Sequence, residues 1–184
     1  MSPQRLEKIY KRQRQLHKQL VDHAADILSS DKFQSTRVHV QHGSIPVHRH
    51  CIDVAKHALM LASALRVRVS EKELIRGALL HDYFLYDWHD KDVRPEGLHG
   101  YRHPAAALKN ASSDYELTDR EKDIIRSHMW PLTLTKIPHC REAWIVSAAD
   151  KYCSLLETLK LRHGAAAQYI ENKKRQHRSA GADS

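Results

Sequence analysis

No apolar run in this chain is long enough to cross a bilayer. The longest, Ala58–Leu65, is already interrupted by Ser63, whereas a spanning helix needs about 20 apolar residues. Glycine and proline are scarce, six of each in 184 residues. That argues against a β-sandwich or barrel, whose many short strands need such punctuation. Three cysteines, Cys51, Cys140 and Cys153, form no CxxC pair and give no even set for a disulfide framework. The first twenty residues are basic but hold no apolar stretch of the kind a signal peptide carries. These absences lead to the expectation of a soluble, cytoplasmic protein with no membrane partner. With 41% hydrophobic and 28% charged residues, the chain can bury a core, and global disorder is excluded.

Common catalytic signatures are missing too. There is no GxxxxGKS/T phosphate loop and no GxGxxG, and so few scattered glycines could hardly build either. No GxSxG elbow or HExxH helix is present, and the cysteines lack zinc spacing. An enzyme with this sequence must work through histidine and carboxylate.

The net charge of +8 lies mostly at the ends. Residues 1–20 contribute +5 and residues 169–184 contribute +2, which leaves +1 for everything between. A nucleic-acid binder concentrates positive charge on a recognition surface; here the excess reads as solvated ends, and nucleic acid is not the expected partner. The more informative count is 15 histidines, a pool of metal ligands and acid–base groups.

The apolar spacing is helical almost throughout. Leu6, Ile9, Leu16, Leu20, Ala24 and Ile27 predict one amphipathic helix over 4–29. A mixed connection over 30–46 precedes a mostly buried helix at 47–66. Ser70 with Glu73 predicts a capping box that opens a helix at 71–85. A polar loop follows, then a short helix to about 112 with Pro104 at its first position and His103 as its cap. Thr118 with Glu121 is a second capping box, whose helix must stop near Trp130 because Pro131 follows. A last helix is expected over 141–163, with Gly164 as its stop. The prediction is an all-α fold of six or seven helices: one domain over 1–168, its site within about 40–160, and a basic polar tail at 169–184.

Against these apolar stripes a few polar residues stand out. His81–Asp82 follows Gly-Ala-Leu-Leu on a buried segment. An isolated charge there would cost several kcal/mol, so it needs either a buried salt bridge or a metal ion. His50 opens an apolar helix, His128 ends DIIRSHMWP, and Asp150 interrupts WIVSAADKYC. Four helices, each placing His or Asp where Leu or Ala would pack, are explained together by one ion. Imidazole and carboxylate without thiolate point to iron, manganese, zinc, nickel or cobalt rather than calcium. His89–Asp90, in a polar loop, reads as solvated. Asp53 and His57 read as a structural pair, His42 as a residue behind the ligands, and His17, His23, His163 and His177 as surface.

The order His, then His-Asp, then a distant Asp resembles the HD-domain metal-dependent phosphohydrolases, a wholly helical superfamily. The residues that carry the resemblance are His50 in HRHCIDVAKHAL, His81–Asp82 in GALLHDYFLYDW and Asp150 in IVSAADKYC. His103 in YRHPAAAL and His128 in IIRSHMWP are similar to the further ligands of the binuclear branch, which includes diadenosine tetraphosphate hydrolases. The resemblance implies two divalent transition-metal ions, iron or manganese foremost. One would be held by His50, His81, Asp82 and Asp150, the other by His103 and His128 with Asp82 bridging. It implies hydrolysis of a phosphate ester or anhydride, of a nucleotide or a similar small molecule, by metal-activated water. Where the related groups have HDxxK, Leu85 replaces the lysine, and Lys151 is the substitute, with Asp82 and Lys151 as catalytic residues. His99, Arg102 and Lys151 are the expected substrate contacts, and Trp88, Tyr101 and Trp130 could stack on a base or pack in a lid. A di-iron oxygenase and a non-catalytic metal-binding or sensor domain are the alternatives.

Overall fold

The computed structural model describes residues 2–42, 45–86 and 99–159. Seven helices are present among them: α1 (Pro3–Ser29), α2 (Asp31–Ser35), α3 (Val47–Ala64), α4 (Glu71–Leu80), α5 (His99–Asp114), α6 (Asp119–Ser127) and α7 (Arg141–Thr158). The only described strands are β1 (Val40–His42) and β2 (Ile45–Pro46), paired antiparallel just before α3. The fold is all-α, as the periodicity predicts, and no described helix is long and apolar enough to cross a membrane.

One core runs through the helices. α3 packs between α4 and α7, α6 lies against α4 and α7, and α1 crosses α3 and α4. Leu20, Val54, Leu79, Ile124 and Val146 meet in it, all fully buried. Arg76 ties three helices together, reaching Asp26 of α1 at 2.7–2.8 Å and Glu121 of α6 at 2.9 Å. α1 bends at Ala24, whose φ of −147° leaves the helical region.

Gly77 marks the tightest approach between α4 and α6. A methyl group there would sit 2.5 Å from Ile124 Cδ1 and 2.9 Å from its Cβ. Alanine is better than glycine in a helix by about 1 kcal/mol, but overpacking costs about 1–3 kcal/mol. The Cβ contact cannot be relieved by a rotamer change, so the steric cost wins. Gly77→Ala is expected to lower the melting temperature in a thermal unfolding scan. An increase in thermal stability on Gly77→Ala alone would contradict this packing.

Several expected boundaries move. The connection over 30–46 contains α2 and the β1–β2 pair. Thr118 and Glu121 form the expected capping box, but Ser70 makes no side-chain cap bond. Its backbone N–H is instead taken by Glu142 Oε1 at 2.8 Å, 72 residues away, a partner that local sequence does not reveal. α4 stops at Leu80 rather than residue 85, α5 begins at His99 with Pro104 inside it, and α7 ends at Thr158 rather than 163. Gly164, the basic tail over 169–184, Trp88 and the His89–Asp90 pair lie outside the described residues, as do His163 and His177.

Candidate metal centre

Five helices bring the conspicuous polar residues to one place. His50 lies in the first turn of α3 and Asp150 in the middle of α7. His103 lies on α5, while His81–Asp82 and His128 directly follow α4 and α6. All six are buried, and His50 and His81 have no solvent exposure at all.

His81 and His128 are oriented by the same local device. Each is the cap residue of its helix, and its ring Nδ1 lies 2.8 Å from the carbonyl three residues back, Ala78 and Ile125 respectively. A carbonyl can only accept, so Nδ1 carries the hydrogen. In the neutral ring the Nε2 lone pair is then directed away from the helix end. The end of α4 thus lies at the site, with His81 as its cap residue. His50 is oriented by a longer-range partner: its Nδ1 lies 3.0 Å from Oε2 of Glu157, whose side chain is wholly buried. An acceptor behind each imidazole is the arrangement that fixes metal-ligating histidines.

The three Nε2 atoms converge on two carboxylates. His50 Nε2 lies 3.1 Å from Asp150 Oδ1 and 3.7 Å from Asp82 Oδ2. His81 Nε2 lies 3.3 Å from Asp82 Oδ2 and 3.7 Å from Asp150 Oδ1, yet it is buried and makes no hydrogen bond among the described residues. On the other side of the same carboxylate, Asp82 Oδ1 lies 3.1 Å from His103 Nε2 and 3.5 Å from His128 Nε2, and those two nitrogens are 2.8 Å apart. His50, His81 and Asp150, and separately His81, Asp82 and His128, form compact sets of possible ligand atoms.

This is a buried concentration of lone pairs, and it requires a cation. Neighbouring ligands about 2.0–2.2 Å from one ion stand about 2.8–3.6 Å from each other in octahedral or tetrahedral arrangement, close to the spacings found. The residues therefore fit a metal. In the absence of an ion, protons must fill the role. Burial opposes charge on His50, but the hydrogen bonds it donates to Asp150 and Glu157 outweigh it and raise its pKa to about 10. Burial likewise opposes charge on His81, yet the neighbouring Asp82 raises its pKa well above the ordinary value. Burial would also push Asp82 and Asp150 up, but the surrounding imidazoles hold both well below the usual carboxylate range. His128 goes the other way: burial, then the charge on His81 and His103, lowers its pKa to about 3.

The HD domain family model matches residues 47–155 of the chain, more than half its length. The chain belongs to the HD domain family. No curated protein and no solved structure matches it. An HD domain with these His/Asp clusters points to divalent metal binding and to phosphohydrolase-type chemistry.

The remaining expected residues take varied places around this HD site. Lys151 follows Asp150, and its Nζ donates to the His128 carbonyl at 2.6 Å, 3.6 Å from Asp150 Oδ2. Its side chain is 41% exposed, so the ammonium lies at the rim. Arg102 is exposed on α5 and makes no ion pair with the cluster among the described residues. His99 is the first residue of α5, not a loop residue as Pro104 led us to expect; its side chain and that of His42 lie outside what is described. Tyr101 is exposed, whereas Trp130 packs edge-on against Trp144 at 4.7 Å, which favours lid packing over base stacking for Trp130. His48, two residues before His50, is turned away and packs on the Phe33 ring at 5.1 Å.

Two sequence readings need correction or addition. His57 and Asp53 do pair, but through the backbone rather than the carboxylate. The ring Nδ1 meets the Asp53 backbone carbonyl at 2.8 Å, while Asp53 Oδ2 accepts from Arg49 at 2.9 Å. Arg49 is four residues away on the same helix face, and a guanidinium is the stronger partner. Glu157 has no place in the sequence reading at all. The available signal is its position seven residues after Asp150, on the same face of α7.

Proposed function

We propose that this HD domain is a metal-dependent phosphohydrolase that cleaves a phosphate ester or anhydride of a nucleotide or similar small molecule. The observation that supports it most strongly is the split of the ligand set by one carboxylate. Oδ2 of Asp82 faces His50 and His81, and Oδ1 faces His103 and His128. In this reading His50, His81, Asp82 and Asp150 hold one ion, and His103 and His128 hold a second that shares Asp82. Bound there, divalent metal supplies a Lewis acid and lowers the pKa of water toward neutrality.

The chain's own residues do the rest. Glu157, Ala78 and Ile125 keep the three imidazoles in the tautomer that turns Nε2 inward. Burial on five helices excludes bulk water, so charge placed in the site is weakly screened. Lys151 at the rim, with Arg102 and His99 from the start of α5, would offset charge on the phosphoryl oxygens. No protein nucleophile is needed, and Cys153, the buried thiol three residues after Asp150, is kept protonated: burial raises its pKa to about 12. The domain in this reading extends over 1–168, with the tail beyond it dispensable for the site.

The test is phosphate release from nucleoside mono-, di- and triphosphates and dinucleoside polyphosphates by metal-loaded protein. Turnover that disappears with chelator and returns with iron or manganese is expected. No turnover on any of these substrates by fully loaded protein, or turnover that requires oxygen, would reject the hydrolase reading.

A further inference from the structure

The Asp82 carboxylate is carried by a stretch that no helix supports. α4 ends at Leu80, and the residues that follow, through Tyr86, belong to neither helix nor strand. Leu85 takes φ +56°, the left-handed region that a leucine rarely adopts, so this stretch needs anchors. Asn110 of α5 supplies two. Its Nδ2 donates to the Tyr83 carbonyl at 3.2 Å and to the Phe84 carbonyl at 3.0 Å. Both partners can only accept, so the amide has one usable orientation, nitrogen toward the chain. Half-buried Asn110 shares its helix face with His103, seven residues and two turns earlier, about 10 Å along the axis. Ala107 and Ala111 of that face are fully buried. One turn after Asn110, Asp114 Oδ2 accepts from the Tyr83 hydroxyl at 3.0 Å. The Phe84 ring lies edge-on to the His103 ring, with 5.9 Å between centroids.

We propose that Asn110 is a positioning residue of the metal centre: its amide fixes Asp82 against His103, whose Nε2 lies 3.1 Å from Asp82 Oδ1. The inference rests on the two-ion reading above. α5 presents His103 to the site, and the same helix, through Asn110, grips the two residues after Asp82. One rigid element therefore sets both sides of that spacing. Without the amide the two carbonyls turn to water, the strain at Leu85 is free to relax, and Oδ1 loses its fixed place beside His103. The two ions feel this unequally. His50, His81 and Asp150 stand on α3, the end of α4 and α7, so the first ion keeps three ligands that Asn110 does not hold. The second has only His103 and His128 besides Asp82, and a shift of that carboxylate disturbs a third of its protein set.

The test is manganese(II) binding to the full-length protein, by calorimetric titration with elemental analysis of the ions bound. Wild-type protein is expected to take up two ions. Asn110→Leu keeps a similar volume but has no donor. It should bind the first ion as wild type does and the second at least about tenfold more weakly, the scale seen when a partner behind a metal ligand is lost. Its far-UV spectrum should be unchanged. Asn110→Ala should behave alike, and it decides the matter if Asn110→Leu fails to fold. Two ions bound by the variants with wild-type affinities would overturn the role of Asn110 and leave the two-ion reading standing. Equal weakening of both ions would mark a merely structural role and overturn the proposal too. Fewer than two ions on the wild-type protein would overturn both that reading and this inference.

Discussion

Asp82→Asn abolishes metal-dependent turnover, with kcat/KM at least about 10³-fold lower, and leaves the helical fold intact. The substitution preserves volume but removes the carboxylate to which all four site histidines point, at 3.1–3.7 Å. Lewis-acid stabilisation of developing charge is worth several kcal/mol, and each 1.4 kcal/mol is tenfold in rate. The fold survives because the remaining imidazoles can shed their protons, so no unpaired buried charge is left behind. Phosphate release, metal content and the far-UV spectrum of the variant check the three parts separately. Retained turnover would remove Asp82 from the centre.

The second large effect concerns a residue that no motif contains. Glu157→Gln weakens metal binding by about 10–100-fold, the range found when a carboxylate behind a ligating histidine is removed. Glu157 Oε2 lies 3.0 Å from Nδ1 of His50, on the side of the ring away from the carboxylate cluster. It acts through His50 by holding Nδ1–H, so a glutamine that can still accept a hydrogen bond should retain more affinity than alanine does. The same contact sets the pH dependence. Because Asp150 and Glu157 raise the His50 pKa to about 10, an ion that binds at neutral pH must displace a proton from this ring. Metal affinity is therefore expected to rise with pH from 6 toward 9 and to level off above the pKa of His50. Calorimetric titration in buffers of different ionisation enthalpy would detect the released proton. Affinity that falls over this range would contradict the assigned role of His50.

The contrast between Asp82 and Glu157 shows what is legible without the structure. His50, His81, Asp82, His128 and Asp150 are readable because each interrupts an apolar stripe, and burial makes such interruptions costly. His103 sits in a less apolar segment and is recognisable only through resemblance. Glu157, near the end of a helix, resembles the many glutamates that simply face water; only its register with Asp150 separates it from them. The helices themselves follow from periodicity, and the Thr118–Glu121 box from local chemistry. Where prediction failed, the competing partner was distant or on the backbone. Glu142 takes the Ser70 N–H, and His57 meets the Asp53 backbone carbonyl while Arg49 takes the Asp53 carboxylate.

The central claim, that buried histidines and aspartates of this HD domain form a two-ion centre, is tested most directly by metal content per chain. Elemental analysis should be made on protein purified without chelator or metal-binding tag, before and after reconstitution. We predict close to two equivalents of a divalent transition metal per chain, falling to one or fewer in a His103→Ala, His128→Ala double variant. No bound metal after reconstitution would contradict the account. A single equivalent unaffected by the double variant would contradict the second half of the site.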